Sequence, residues 1–459
     1  MGLLEKVRRF KPSPTQLIVL SFALVICAGT LLLMLPVSLA PGQHPDLMTA
    51  LFTATSCTCV TGLVVVETGT HFSLFGQLVI LLLIQIGGLG FMTLTTLLLI
   101  ALGKKITLRD RMIIQESFNA EGLQGLLKLI LRVCRMVLAM ELGGALVLSI
   151  RMVPRFGWGR GLYYSLFHSV SAFCNAGFDV LGQGDSIRSL NNDPVVMITL
   201  MLLVVLGGLG FPVIMDLMNQ KKFSRLELHT KVVLLITGIL LLGGFVLFLA
   251  FEIGNPATLG DPDMLWRDKL INALFQSVTV RTAGFASFAQ GDMAAGSKLL
   301  SVALMFIGAS PTSTGGGIKT TTFACVLLVI VAALRGKTSI HVFGRRLPLA
   351  LVFRAMAIFM IALIVLAALV LGMTVLEPTE GNGMFATENI IYEAASALGT
   401  AGLTTGITPY LTIPSKLLLV LAMFMGRVGP LSLTLALSRR LNRSSKLRIE
   451  YPEDHIIVG

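Results

Sequence analysis

Four short turns hold the residues of this chain whose types and spacing can do chemistry: Val60-Thr61-Gly62, Asn175-Ala176-Gly177, Thr282-Ala283-Gly284 and Thr400-Ala401-Gly402. Their glycines lie 115, 107 and 118 residues apart, a period that marks an internal repeat. Glycine reaches positive φ freely, so consecutive carbonyls in such a turn can be aimed at one axis. A ring of neutral carbonyl oxygens can replace the hydration shell of an alkali cation and still release it. Carboxylates in the same place would hold divalent ions instead.

The elements around the turns explain why they matter. Before each turn runs a semi-polar segment, Leu47 to Thr58, Gly161 to Phe173, Arg267 to Thr279 and Phe385 to Leu398. As helices these are about 18–21 Å long, too short for a hydrocarbon layer of about 30 Å, so each must enter and return. Long apolar runs flank them, among them Gln16 to Pro36, Leu78 to Leu102, Val195 to Leu217, Val232 to Phe251 and Leu347 to Leu376. The expected unit is an outer helix, a re-entrant half-helix, a turn and an inner helix. Irregular backbone at membrane depth is tolerated only where it lines a cavity or is buried in protein, and half-helix C-termini favour a cation between them.

This predicts an all-α membrane protein of four tandem repeats in a pseudo-fourfold arrangement around a central pore, with eight full spans. The repeats are placed at 12–103, 104–220 (with a cytoplasmic linker), 221–338 and 339–438, between cytoplasmic tails 1–11 and 439–459.

Composition agrees. Hydrophobic residues make up 54% and charged residues 13%, against about 25% charged in soluble domains. The net charge of +12 does not indicate nucleic acid, because 25 of the 36 Lys and Arg residues fall in five stretches between or beside spans, 6–11, 104–135, 221–231, 335–354 and 439–448. Under the positive-inside rule these mark the cytoplasmic side, leaving both termini there. Acids such as Glu67, Asp179, Asp193, Asp268, Glu377 and Glu393 lie on the complementary connections. Together they would concentrate cations, although solvation is the default role of any single one.

The basic N-terminus leads into a first helix with no cleavage site. Six cysteines without paired metal-ligand spacing predict free thiols. Six scattered histidines supply no nucleophile-and-base or metal set, so no enzyme is expected. No glycine-rich nucleotide loop is visible, and no organic cofactor is implied. A secondary transporter of another cation or small solute is the alternative function, but inverted repeats, common in that class, are absent.

These residues resemble the Trk/Ktr/HKT superfamily of potassium transporters, and within it the KtrB-type membrane subunit, over nearly the whole chain. Besides the turns, the likeness rests on Gln85-Ile86-Gly87-Gly88-Leu89-Gly90-Phe91, Gly207-Gly208-Leu209-Gly210-Phe211, Arg281 to Phe285, Gly308 to Thr322, Ser396 to Leu403 and Gly426-Arg427-Val428-Gly429-Pro430. It implies potassium-selective transport in the cytoplasmic membrane, a homodimer with one pore per subunit, stimulation by sodium, and control by a soluble KtrA/KtrC-like nucleotide-binding ring. Glycine in all four turns goes with potassium selectivity in that superfamily, whereas a serine in the first goes with sodium permeation. Pro311 departs from the small-residue pattern of the third unit.

Gly308, Ser310, Pro311, Thr312, Ser313, Thr314, Gly315, Gly316, Gly317 and Lys319 lie in a stretch that cannot continue a helix. The resemblance makes it a gate, and a static kink is the alternative. Arg427 lies mid-span, where a charge costs about 2.5–3.5 kcal/mol. The family pattern puts it beneath the filter, bonded to the gate loop as a barrier to cations. Gly87, Gly88, Gly90, Gly207, Gly208 and Gly210 permit close packing or act as hinges. Glu141 is expected to pair with Arg135 or Arg132 near the cytoplasmic surface. The apolar end Ile456-Ile457-Val458 is expected at a dimer or regulatory contact, with basic residues before it facing lipid.

Overall fold

The computed structural model describes residues 14–90, 126–182, 186–220, 222–337, 339–378 and 383–429. The tails 1–11 and 439–459, the basic linker from residue 104 as far as 125, Phe91 and Pro430 lie outside the described residues.

One element order occurs four times. It runs α1 (Pro14–Leu33), α2 (Leu47–Cys59) and α3 (Leu74–Leu89), then α4 (Leu126–Phe156), α5 (Trp158–Phe173), α6 (Pro194–Leu209) and α7 (Phe211–Asn219). It continues with α8 (Leu228–Glu252), α9 (Trp266–Thr279), α10 (Ala295–Phe306) and α11 (Thr320–Leu334), and ends with α12 (Leu349–Leu376), α13 (Thr387–Gly399) and α14 (Ile413–Val428). A two-stranded hairpin, His341–Val342 with Arg345–Arg346, is an exception to the all-helical expectation.

Among the described helices α1, α4, α8 and α12 are each long and apolar enough to cross a membrane. They expose large apolar side chains such as Leu31, Leu146, Leu242 and Leu371, a surface that lipid, not water, can cover. The short helices α2, α5, α9 and α13 start and stop within three residues of the segments read from sequence. Asp46 fixes the start of α2 by accepting from Thr49 N at 2.8 Å and Thr49 Oγ1 at 2.6 Å, bonds that hold its carboxyl below the ordinary carboxylate value.

Packing links successive units in a cycle. α3 packs on α5, α6 on α9, α10 on α13, and α14 returns to α2. Within units, buried carboxylates lock outer helices to inner ones. Glu252, ending α8, accepts from Ala294 N at the start of α10 (2.9 Å), from Asn255 Nδ2 (2.8 Å) and from Thr258 Oγ1. Glu377, following α12, accepts from Thr412 N (2.9 Å) and Oγ1 (2.8 Å) at the start of α14. Asp193 caps α6 through Val195 N and pairs with Arg151 and Arg155 of α4 at 2.8 and 3.3 Å. Asp193 and Glu377, grouped by sequence with acids open to water, are therefore structural anchors. Glu252→Ala removes the acceptor of Ala294 N and of Thr258 Oγ1, while Asn255 Nδ2 keeps Asp292 O at 2.9 Å, and at about 1 kcal/mol or more for each lost bond a clear drop in the denaturation midpoint in detergent is expected.

The second inner helix differs from the single span expected over Val195 to Leu217. α6 and α7 meet at 98°. Gly210 at the junction has φ 96°, Pro212 has no N–H to continue a helix, and Phe211 N donates to Thr312 O at 3.1 Å instead.

Candidate functional site

Each short helix gives way to its turn in the same manner. Val60, Asn175, Thr282 and Thr400 have φ of 56°, 59°, 71° and 49°, and the glycines two places on have 95°, 68°, 82° and 82°. Sequence reasoning gave left-handed backbone to the glycines alone. For residues with a Cβ it costs about 1–2 kcal/mol, so four at equivalent places are held by their surroundings.

The surroundings are visible in the hydrogen bonds. Thr61 N donates to Ser56 O (2.8 Å), Ala176 N to Ser171 O (2.7 Å), Ala283 N to Thr279 O (3.0 Å) and Ala401 N to Ser396 O (2.8 Å). Side chains of the short helices hold the rest of each turn. Ser56 Oγ accepts from Gly62 N at 3.1 Å, and Ser171 Oγ and Thr279 Oγ1 donate to Phe178 O (2.8 Å) and Phe285 O (2.6 Å). In the fourth turn Glu393, fully buried on α13, accepts from Thr405 N (3.0 Å), Thr408 Oγ1 (2.8 Å) and Thr404 Oγ1.

Those bonds leave the carbonyls over. All twelve turn residues are buried, yet among the described residues none of their carbonyl oxygens accepts a hydrogen bond. The hydroxyls of Thr61 and Thr400 are also buried without a partner. Buried backbone oxygens are nearly always paired, so these unpaired ones point into space that a water or a cation can fill.

The four turns converge on one another. A Cβ on Gly62 would lie 2.5 Å from Ala176 O, one on Gly177 2.6 Å from Ala283 O, and one on Gly284 3.1 Å from Ala401 O, while one on Gly402 would overlap Thr61 O. Each glycine faces the carbonyl of the next turn, and the fourth faces the first. On one side of this ring a cavity of about 120 Å³ is lined by all four glycines together with Glu67, Asp179 and Thr404.

On the other side lies the stretch between α10 and α11. Ile307 bridges Ile318, and Ala309 N donates to Gly316 O at 3.1 Å, so the loop closes on itself. Ser310 N and Thr314 N donate to Gly208 O (3.0 Å) and Gly207 O (3.2 Å), and Thr314 Oγ1 donates to Phe173 O (3.0 Å). A Cβ on Gly315 would strike Thr282, and one on Gly316 would strike Thr400, so this loop lies against the turns. Pro311 is accommodated where Thr312 takes φ 53°; Ser313 Oγ donates to Ser310 O (2.7 Å) and Lys319 Nζ to Gly315 O (2.7 Å).

Arg427, near the end of α14, donates to Thr314 O in this loop and to Gly87 O at the end of α3, with Gly88 O at 3.4 Å. The twelve turn residues and the loop residues named from sequence are thus brought into one region. Gly87, Gly88 and Gly207 abut Thr58 O, Cys174 and Phe173 O, which is close packing, whereas Gly90 and Gly210 carry positive φ where their helices end.

Glu141 departs from expectation. It is buried and accepts from Gln85 Nε2 at 3.1 and 3.2 Å, with Cys174 Sγ at 3.7 Å; Arg135 donates to Leu131 O instead. Arg135 and Arg132 lie six and nine residues before Glu141, off its helical face. Glu393 was also missed as an anchor, although a carboxylate within a 13-residue half-helix bound for the protein interior was the available signal.

A family model for TrkH, described as a cation transport protein, matches residues 8–447. Ktr system potassium uptake protein B of Bacillus subtilis (strain 168) is 41% identical over 449 residues, 97% of either chain. Potassium/sodium uptake protein NtpJ of Enterococcus hirae is 39% identical over 461 residues, covering 100% of both. Among solved structures, the crystal structure of the potassium transporter TrkH from Vibrio parahaemolyticus is similar in fold, with a TM-score of 0.70 at 19% identity over 95% of this chain and 87% of that one.

Proposed function

The chain belongs to the TrkH family of cation transport proteins, and on that premise we propose that it is the membrane subunit of a potassium uptake system whose filter is the ring of turn carbonyls. The observation that carries this reading is the cycle in which each turn glycine meets the carbonyl of the next, with those carbonyls buried and unpaired. Neutral oxygens in that number suit a monovalent alkali cation. The names of the full-length relatives, a potassium uptake protein and a potassium/sodium uptake protein, point the same way.

In this reading the four element sets are pseudo-symmetric pore repeats with the boundaries given above. The cavity bearing Glu67 and Asp179 is the outer vestibule, and the loop from Gly308 to Lys319 with Arg427 is the gate on the cytoplasmic side. The subunit works in the cytoplasmic membrane as a homodimer, both termini inside, under a cytoplasmic nucleotide-binding ring and with stimulation by sodium. Restored growth at low potassium of a bacterium lacking its own potassium uptake systems is the expected test result. No growth, with the protein present in the membrane and a ring subunit supplied, would contradict it.

A second expected result concerns Glu393. Glu393→Gln keeps the shape but replaces one acceptor oxygen with an amide nitrogen, so a donor such as Thr408 Oγ1 loses its acceptor, and a buried donor left unsatisfied costs about 1–3 kcal/mol. Loosening the segment after the fourth turn is expected to lower potassium-over-sodium discrimination about tenfold, since about 1.4 kcal/mol is a factor of ten. Competition between labelled rubidium and sodium measures it.

A further inference from the structure

Behind the third turn, outside the ring and against the start of the loop between α10 and α11, lies a small cavity that none of these functions uses. Arg281, Thr237, Val204, Gly208, Val278 and Ala309 are among its lining residues, and it leaves about 10 Å³ for the centre of a water-sized guest to move in. Two of the lining side chains have unpaired polar atoms. Arg281, 8% exposed, has a buried Nε without a partner, and Thr237, 6% exposed, has a buried Oγ1 without one.

Thr199 and Thr374, also within helices, return their hydroxyls to Val195 O (2.6 Å) and Val370 O (2.8 Å) one turn back, as helical threonines can. Among the described residues Thr237 makes no such bond. The Arg281 guanidinium reaches from Nη2 to Gly308 O only at 3.5 Å, beyond ordinary hydrogen-bond length. None of the lining residues is acidic. A buried guanidinium with no counter-charge is costly. A water would fill the space and satisfy hydrogen bonds but leave the charge, whereas a monoatomic anion accepts from both Nε–H and Oγ1–H and neutralises it.

We propose that Arg281 and Thr237 hold a single halide-sized anion behind the third turn. The site spans α8, which carries Thr237, the turn after α9, which carries Arg281, and the gate-loop end at Gly308 and Ala309. Its consequence for transport rests on the filter reading. An anion there cancels a positive charge one residue from Thr282, so potassium binds more readily when the site is filled.

Diffraction from crystals grown with bromide in place of chloride tests the site. An anomalous peak between Arg281 Nε and Thr237 Oγ1 in the parent, lost in Thr237→Val, is the expected result. Absence of the peak in the parent, or an unchanged peak in the variant, overturns the proposal. In proteoliposomes the parent's half-saturation for potassium should rise about fivefold when chloride is replaced by gluconate, the lower end of ordinary coupling between sites, and Thr237→Val should lose that response. The anomalous peak does not depend on the filter, so its absence from the parent overturns the site alone, whereas failure of the turn glycine variants to alter selectivity overturns the filter reading alone.

Discussion

Gly402→Ala is expected to cut potassium uptake by at least about tenfold while the protein still reaches the membrane. Gly402 has φ 82°, and a methyl group there overlaps Thr61 O in the first turn. Left-handed backbone costs an alanine about 1–2 kcal/mol, and the overlap adds to it, so the fourth turn or the Thr61 carbonyl must move. Either movement removes an oxygen from the ring, and about 1.4 kcal/mol is already tenfold. Gly238→Ala is the control: it lies in α8, has ordinary φ and meets nothing within 4 Å, so uptake should match the parent. Rubidium uptake per unit of membrane protein decides, and parental uptake by Gly402→Ala would mean that the ring is not the path.

Arg427→Ala is expected to raise flux about tenfold with little change in the preference for potassium over sodium. The guanidinium joins the loop between α10 and α11 at Thr314 O to the end of α3 at Gly87 O. One charged hydrogen bond is worth about 1.5–3 kcal/mol, so losing the tie to Thr314 alone moves a closed–open balance by about tenfold or more. Arg427→Lys separates the two contributions of the residue. It keeps the positive charge but not the fork that reaches two carbonyl groups at once, so it should loosen the gate and retain the electrostatic barrier. Flux equal to the parent in the alanine variant leaves Arg427 as a packing residue.

The parts of this architecture legible in the sequence are those with a local cause. Thr-Ala-Gly and Asn-Ala-Gly after short semi-polar segments located the turns, because glycine and segment length act within a few residues. Three consecutive glycines and Pro311 likewise foretold the break between α10 and α11. The bend at Gly210 was overlooked because the apolar run from Val195 to Leu217 reads as one span, although Pro212 carried the signal. Left-handed backbone at Val60, Asn175, Thr282 and Thr400 has no compositional mark, since those residues are forced by bonds from the helix behind them.

Buried carboxylates were the least legible. Glu141 finds Gln85 from a helix 56 residues away in sequence, and Glu377 finds Thr412 35 residues on. Asp193 looked like a surface acid because nothing local reveals Arg151 and Arg155 as its partners, whereas Glu393 carried an unused local signal in its place within a half-helix. Glu67 and Asp179, in contrast, line the cavity beside the four turn glycines.

The most direct measurement is uptake of potassium, rubidium and sodium into proteoliposomes holding the purified protein, for the parent and for Gly62→Ser. Gly62 has φ 95°, and a Cβ there would lie 2.5 Å from Ala176 O, so serine must disturb the carbonyl next to it. Potassium and rubidium uptake far above sodium in the parent, with sodium admitted in the variant, is the expected result. Equal uptake of all three ions by the parent, or unaltered selectivity in Gly62→Ser, would contradict a filter made from these turns.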